Sequence, residues 1–85
     1  MKLQETRQII ISCLDEVKLL EANQKSEILQ DQEADVELAS LSIDSLKIVD
    51  LCMALETALG REVEVEVLIE NSSINKLARY YAAED

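Results

Sequence analysis

The chain has no Pro and a single Gly in 85 residues, so it has few places to turn sharply. It also has no Phe and no Trp, and its two aromatic residues are Tyr80 and Tyr81. The core must therefore be aliphatic, and long elements joined by few tight turns favour helices over a β-sandwich or barrel. The composition predicts an all-α fold in one small domain that spans residues 1–85.

Negative charge is concentrated in the middle of the chain. The formal net charge is -10, and residues 27–70 carry twelve acidic side chains against the two cations Lys47 and Arg61. Such a field repels nucleic acid and anionic membranes and speeds encounter with basic protein surfaces. No apolar run approaches the length of a signal peptide or a membrane span. We therefore expect a monomeric, free-standing cytoplasmic protein that neither binds nucleic acid nor inserts into a membrane.

The first half of the chain predicts one helix and one long loop. Apolar residues recur at helical spacing from about residue 2 to about residue 22, which predicts a first helix with one buried face. Residues 23–43 are polar and acidic, and predict a long loop that isolated apolar residues hold against the core at intervals. These apolar residues are Ile28, Leu29, Val36, Leu38 and Leu41.

The strongest helical pattern covers residues 45–59, with Asp44 as a suitable N-cap and Gly60 placed to end the helix in the left-handed conformation. At about 100° of rotation per residue, its apolar residues fall on two separate faces. The face that suffices for a core holds Ile48, Leu51, Leu55, Ala58 and Leu59. The other face, on the side of Ser45, holds Leu46, Val49 and Met53, flanked by Asp50 and Glu56. Exposed apolar groups rimmed by charge are typical of a partner surface, although a helix buried on both sides under the long loop is the alternative.

The rest of the chain predicts two further helices. Residues 61–67 alternate charged residues with valine as a strand does, but no second strand is predicted to pair with them. We therefore expect an extended link followed by a short helical turn at 67–70. Ser72 or Ser73 then caps a last helix with one apolar face, formed by Ile74, Leu77, Ala78 and Tyr81. The result is a small four-helix bundle, with three longer helices, a short third helix and a long loop between helices 1 and 2.

Ser45 lies in the run Leu41-Ser42-Ile43-Asp44-Ser45-Leu46, at the first turn of the predicted helix. Free backbone amides and the helix dipole there favour an attached or bound phosphate. The simpler interpretation of Asp44-Ser45 is a good helix start, and for the bare tripeptide Asp-Ser-Leu this is the usual one. The surrounding sequence favours a hydroxyl that is modified.

This run resembles the acyl carrier protein family, whose members carry a Gly-x-Asp-Ser-Leu motif at the start of the second of four helices, with 4'-phosphopantetheine esterified to the Ser. The following residues, Val49 to Glu56, resemble the family's recognition helix, and the resemblance runs from about Leu41 to Tyr81. The segment from Ser72 to Tyr81 is similar to the closing helix of carrier domains from polyketide and nonribosomal peptide assembly lines, as well as of fatty-acid carriers.

The resemblance implies a carrier with no catalysis of its own. Ser45 would be the attachment site for 4'-phosphopantetheine, with Asp44 beside it, and a phosphopantetheinyl transferase would donate the arm from coenzyme A. The terminal thiol of the arm would carry acyl groups as thioesters. The other implied partners are acyl-loading, condensing and other acyl-processing enzymes of fatty-acid or polyketide biosynthesis, with basic docking surfaces. The implied docking residues are Leu46, Val49, Asp50, Met53 and Glu56.

Two residues depart from the family pattern. Ser42 replaces the usual motif Gly, which we expect to stiffen or reshape the turn while leaving the Ser45 hydroxyl in place. Lys47 stands where fatty-acid carriers commonly have an acid, and so inverts one charge beside Ser45. We expect this inversion to weaken docking to partners evolved around an all-acidic helix.

Other functions compete with this interpretation. An aminoacyl or peptidyl carrier of a nonribosomal peptide-type pathway is the main alternative, and an interaction module that has lost the modification rests on the missing motif Gly alone. An enzyme is weaker, because the chain has no His to activate a nucleophile. Glu62, Glu64 and Glu66 alternate with valines on a link with no convergent ligand, so we predict no metal site. Cys13 and Cys52 have neither disulfide nor metal spacing and predict buried free thiols.

Overall fold

The computed structural model describes residues 2–31, 33–41 and 44–83. Within these ranges the chain forms five α-helices and a short 3-10 helix, and no strand. No helix there is long and apolar enough to cross a membrane. The all-α prediction is confirmed. The α-helices are α1 (Leu3–Glu16), α2 (Ala22–Gln30), α3 (Ser45–Leu59), α4 (Val65–Glu70) and α5 (Ile74–Ala83), and the 3-10 helix is at Leu38–Leu41.

The core is aliphatic, as the composition predicts, and α1 lies at its centre because it packs against both α3 and α5. Burial of each large aliphatic side chain contributes about 1.5–3 kcal/mol to folding before entropy losses are counted. The fully buried aliphatic side chains are Ile10, Ile11 and Leu14 of α1, Leu51 and Leu55 of α3, Leu68 of α4, and Ile74 and Leu77 of α5. The predicted apolar face of the last helix is thereby confirmed, since Ala78 and Tyr81 are buried as well.

Helix α1 is shorter than predicted and ends at Glu16. The chain turns because Lys18 adopts the left-handed conformation, with φ 63. The amide of Lys18 donates to the carbonyl of Asp15 at 3.0 Å, and the amide of Leu19 donates to that of Leu14 at 2.9 Å. This pair of bonds is a Schellman motif, which usually requires Gly. A lysine in that position gives the sequence no visible signal for the end of the helix.

The predicted long loop over residues 23–43 is wrong in its first part, because α2 occupies it. This helix begins with a capping box. The Glu21 side chain accepts a hydrogen bond from the backbone amide of Gln24, and the Gln24 side chain accepts one from the backbone amide of Glu21. The pattern hides the helix because only Ile28 is buried, and the apolar residue beside it, Leu29, is exposed, so no apolar residue repeats at helical spacing on the buried side. The bundle therefore has five α-helices in the described ranges rather than the four predicted.

The remainder of that segment is held against the bundle, as predicted, and backbone bonds do much of the holding. The amide of Leu38 donates to the carbonyl of Ser72 at 2.8 Å, and the amide of Ile74 donates to that of Val36 at 3.2 Å. Leu38 and Leu41 are buried. The connection that leads toward α3 is thus fixed beside the start of α5.

Arg7 on α1 holds the same connection from its other side, and it is a residue that the sequence analysis does not single out. Its side chain is 5% exposed. Its Nε donates to the Oδ1 atom of Asn75 at 2.7 Å. Its Nη atoms donate to the backbone carbonyls of Ile28, Asp31 and Ala34. One guanidinium thereby joins α1 to the end of α2, to the connection and to α5.

Helix α3 has the two predicted faces, with one error. Leu51 and Leu55 are buried on the core face, but Ala58 is exposed, and Cys52 is buried instead. The buried arc of the helix is centred nearer to Cys52 than the sequence predicts. Ala58 consequently lies at the rim of the core, in a groove beside α1.

The structure confirms the predicted end of α3 and a predicted cap of α5, whereas α4 starts earlier than predicted. Gly60 ends α3 in the left-handed conformation, with φ 69. No helix forms over residues 61–64, and α4 then begins at Val65, slightly before the predicted turn. Of the two candidate caps of α5, Ser73 serves, since its Oγ accepts a bond from the Lys76 amide at 3.2 Å.

We predict that Arg7→Met lowers the free energy of unfolding by about 2–4 kcal/mol, because buried carbonyl oxygens lose their donors. Urea unfolding followed by circular dichroism measures this change. Arg79→Met, on the exposed side of α5, is the matched control and should change the free energy by less than about 0.5 kcal/mol. Equally small effects of the two substitutions would show that the connection does not depend on Arg7.

Candidate functional site

Asp44 caps the start of α3, as predicted. Its backbone is extended, its carboxylate oxygen Oδ1 accepts a bond from the Lys47 amide at 2.8 Å, and its carbonyl accepts one from the Ile48 amide at 3.0 Å. Asp44 is exposed. Ser45 is the first residue of α3. Asp44 and Ser45 therefore lie at the N-terminal end of a 15-residue helix, where the helix dipole is positive.

The second apolar face of α3 is exposed, so the alternative of a helix buried on both sides is wrong. Leu46 is 77% exposed, Met53 is 62% exposed and Val49 is 49% exposed. Asp50 and Glu56 are exposed beside them. We call these five residues the α3 surface. Large apolar side chains gathered on one helix face and rimmed by acids are what a partner interface requires.

Glu56 differs from Asp50 in having a bond within the chain. One of its carboxylate oxygens accepts a bond from the amide of Val63, in the link after α3, at 3.2 Å. The sequence gives no signal for this contact, because it depends on how the link turns back after Gly60. Glu56 therefore combines an exposed negative charge with a role in fixing the link.

The sequence predicts that Lys47 places a cation beside Ser45. In the structure the Lys47 side chain is half-buried and extends to the end of α1. Its Nζ donates to the backbone carbonyl of Val17 at 3.0 Å. Ser42, the other departure from the family pattern, lies outside the described residues. The described part of the motif thus consists of the capping Asp44, the helix start at Ser45 and the exposed Leu46.

An open groove of about 640 Å³ separates the end of α1 from α3. It borders the α3 surface, since Asp50 and Met53 line it, and Lys47 contributes to its wall. Acidic, basic and apolar side chains all face this groove. Its open shape and mixed lining do not suit the enclosure of an apolar ligand.

Two further exposed apolar residues lie on α4 and are absent from the predicted surface. Ile69 is 65% exposed and Val65 is 37% exposed. They stand four residues apart, which places them on one face of a helix. The sequence conceals this pair, because the alternation of valines up to Val67 suggests an extended link rather than a helix.

The acidic residues of the link and α4 do not form a metal site in the described part of the chain. Glu62, Glu64 and Glu66 are all exposed. Among the described residues, no three His, Cys, Asp or Glu side chains come together to hold a metal ion. Their negative charge adds to the acidic field around α3 and α4.

Comparison with known protein families supports the resemblance carried by the motif. The family model for the phosphopantetheine attachment site matches residues 24–81. A search of curated proteins and of solved structures finds no match to the chain. The matched range covers α3, α4 and most of α2 and α5, and contains the whole α3 surface.

The start of α3 fits the phosphodiester that such a domain carries. Asp44 and Leu46, the neighbours of Ser45 in the chain, are both exposed, and first-turn amides of a helix favour a phosphate. The family match covers more than half of the chain. The chain therefore belongs to the phosphopantetheine attachment site family, the domains to which 4'-phosphopantetheine is covalently attached.

Proposed function

We propose that this chain is an acyl carrier protein, modified on Ser45 and serving fatty-acid or polyketide biosynthesis. The observation that carries the proposal is the position of Ser45, the first residue of α3, between the exposed Asp44 and the exposed Leu46. When bound, the 4'-phosphopantetheine arm supplies a terminal thiol that holds acyl groups as thioesters. The chain itself performs no catalysis in this proposal.

The residues at the start of α3 would hold the attachment site in a fixed conformation. The carboxylate of Asp44 bonds the Lys47 amide and so closes the first turn of the helix. With the first turn closed, the free backbone amides at the start of α3 stay directed toward a phosphate on Ser45. Asp44 therefore contributes by shaping the turn.

The α3 surface is the proposed docking site for the transferase and for acyl-loading, condensing and other acyl-processing enzymes. Leu46, Val49 and Met53 would bury apolar area in the complex, and interfaces take most of their affinity from such buried groups. Asp50 and Glu56 would attract basic surfaces and speed encounter. The acids of the link and α4 extend the same negative field.

The main alternative is an aminoacyl or peptidyl carrier, favoured by the likeness of the segment from Ser72 to Tyr81 to assembly-line carriers. That segment forms the start of α5 and packs in the core, where it contributes to stability in any carrier. Loading of the modified protein by an acyl-loading enzyme or by an amino-acid adenylating enzyme distinguishes the two pathways. The family match applies to both.

The chain's own thiols would not compete with the thiol of the arm. Burial, reinforced by nearby Glu16, raises the pKa of Cys13 from 9.0 to about 11. Burial and nearby Glu56 also raise the pKa of Cys52 above its ordinary value. Because the thiolate is the nucleophile, both cysteines react slowly at neutral pH.

We predict that the chain gains the mass of one phosphopantetheine when it is incubated with coenzyme A, magnesium and a broad-specificity phosphopantetheinyl transferase. Intact-mass spectrometry measures the gain. Ser45→Ala should abolish the gain, whereas Ser42→Ala, which removes the hydroxyl nearest to Ser45 in the sequence, should retain it. No gain on the wild type, with a known carrier modified in parallel, would favour the interaction module.

We predict that Leu46→Ala and Met53→Ala each lower kcat/KM for this modification by about tenfold, because each removes buried contact area in the complex. Both should leave the free energy of unfolding within about 0.5 kcal/mol of the wild type. Leu29→Ala, which truncates an exposed leucine on α2, is the matched control and should leave the rate unchanged. Unfolding of both α3 variants would show instead that these side chains belong to the core.

We predict that, at pH 8, a disulfide reagent labels the arm of the modified protein rapidly and labels Cys13 and Cys52 slowly. The raised pKa alone reduces the thiolate fraction of Cys13 about 100-fold. Absorbance of the released thiolate measures the rates, with the unmodified protein in guanidinium chloride as the control for two accessible thiols. Rapid labelling of the folded, unmodified protein would contradict the buried placement of both cysteines.

A further inference from the structure

Lys47 is the single cation among the residues of α3, and its ammonium group lies against another helix. The side chain is half-buried, and Nζ donates to the carbonyl of Val17 at 3.0 Å. Val17 is the C-terminal cap of α1. A single hydrogen bond thus joins the first turn of α3 to the end of α1.

Cations from other parts of the chain compensate the negative end of α1, and one of them is Lys25 of α2, whose Nζ lies 2.9 Å from the Oδ2 atom of Asp15. The last turn of α1 contains no basic residue, and the sequence places the acids Asp15 and Glu16 there. Acids at the negative end of a helix dipole are unfavourable, and a cation there is stabilising. Lys47 adds a second cation, from α3, and donates to the carbonyl of Val17, which follows the last residue of α1.

Lys47 lies in a groove with charges of both signs, while the other charged side chains of α3 are acidic. Glu16, Lys18 and Asp50 line the groove between α1 and α3 together with Lys47, so two acids and two cations face it. The other charged side chains of α3 are Asp50 and Glu56, and both are exposed. The positive charge of Lys47 is directed to α1, whereas the α3 surface carries negative charge.

We propose that Lys47 is a positioning residue that ties the first turn of α3, and with it Ser45, to the end of α1, and that partner enzymes do not read its charge. The part concerning partners rests on the proposed function. The inference replaces the expectation that a cation next to Ser45 repels partners with basic surfaces. The motif position is basic, but the charge serves the contact between two helices.

The tether itself is tested on the unmodified protein, without any transferase. Amine acetylation at neutral pH, read by peptide mass spectrometry, should label Lys47 several-fold more slowly than Lys76, an exposed lysine on α5. The difference should vanish in guanidinium chloride. Equal labelling of the two lysines in the folded protein would overturn the tether, whatever the outcome at Ser45.

The consequence for partners is tested by transferase kinetics with the carrier as the varied substrate. Lys47→Gln should lower kcat several-fold, because Ser45 is less well positioned, and should leave KM and its salt dependence unchanged. Lys47→Arg should restore kcat, while Asp50→Asn should raise KM. A lower KM for Lys47→Gln would overturn the inference, because it would show that the cation repels the transferase. Absence of modification in every variant, wild type included, would instead refute the proposed function and leave the labelling result to decide the tether.

Discussion

The buried guanidinium of Arg7 is the interaction on which the path of the chain into the site depends. The first residues of the connection after α2 are polar apart from Ala34, and its buried leucines, Leu38 and Leu41, come later, so hydrophobic burial does little to order its start. Backbone carbonyls of this connection must nevertheless find donors where water is excluded. The planar guanidinium has five donors and never loses its charge, so it serves several carbonyls at once where a lysine could not. The first part of the connection, from Asp31 to Ala34, is therefore fixed by a side chain of α1.

Helix α3 has one face in the core and one face exposed to water. In a chain of 85 residues the core is small, and it uses only one face of α3. The other face keeps Leu46 and Met53 in water, which lowers solubility and gains nothing for the isolated fold. Local features that oppose the fold are expected where function requires them. The acidic rim keeps such a surface soluble, and in the proposed function it would favour partners with basic surfaces.

The sequence predicts those features that are fixed locally and misses those that depend on tertiary contacts. Asp44 and Gly60 are recognised because an N-cap and a left-handed Gly act within one turn of the chain. The helix α2 and the end of α1 at Lys18 escape recognition, since neither uses the usual residue types. Arg7 escapes as well, because a polar residue at a helical position reads as solvent-exposed until its acceptors, distant in sequence, are known.

Lys47 shows the same limit at the candidate site. By motif position it belongs to Ser45, two residues away, and its charge would be counted with the docking residues. By contact it belongs to Val17, thirty residues away in sequence, at a helix end whose last turn has no basic residue. Since electrostatic attraction depends on where a charge lies rather than on which helix bears it, a charge pattern read along α3 misjudges what a partner meets. Under the proposed tether, the surface that partners would meet is more acidic than the motif implies, because the Lys47 side chain is directed to α1.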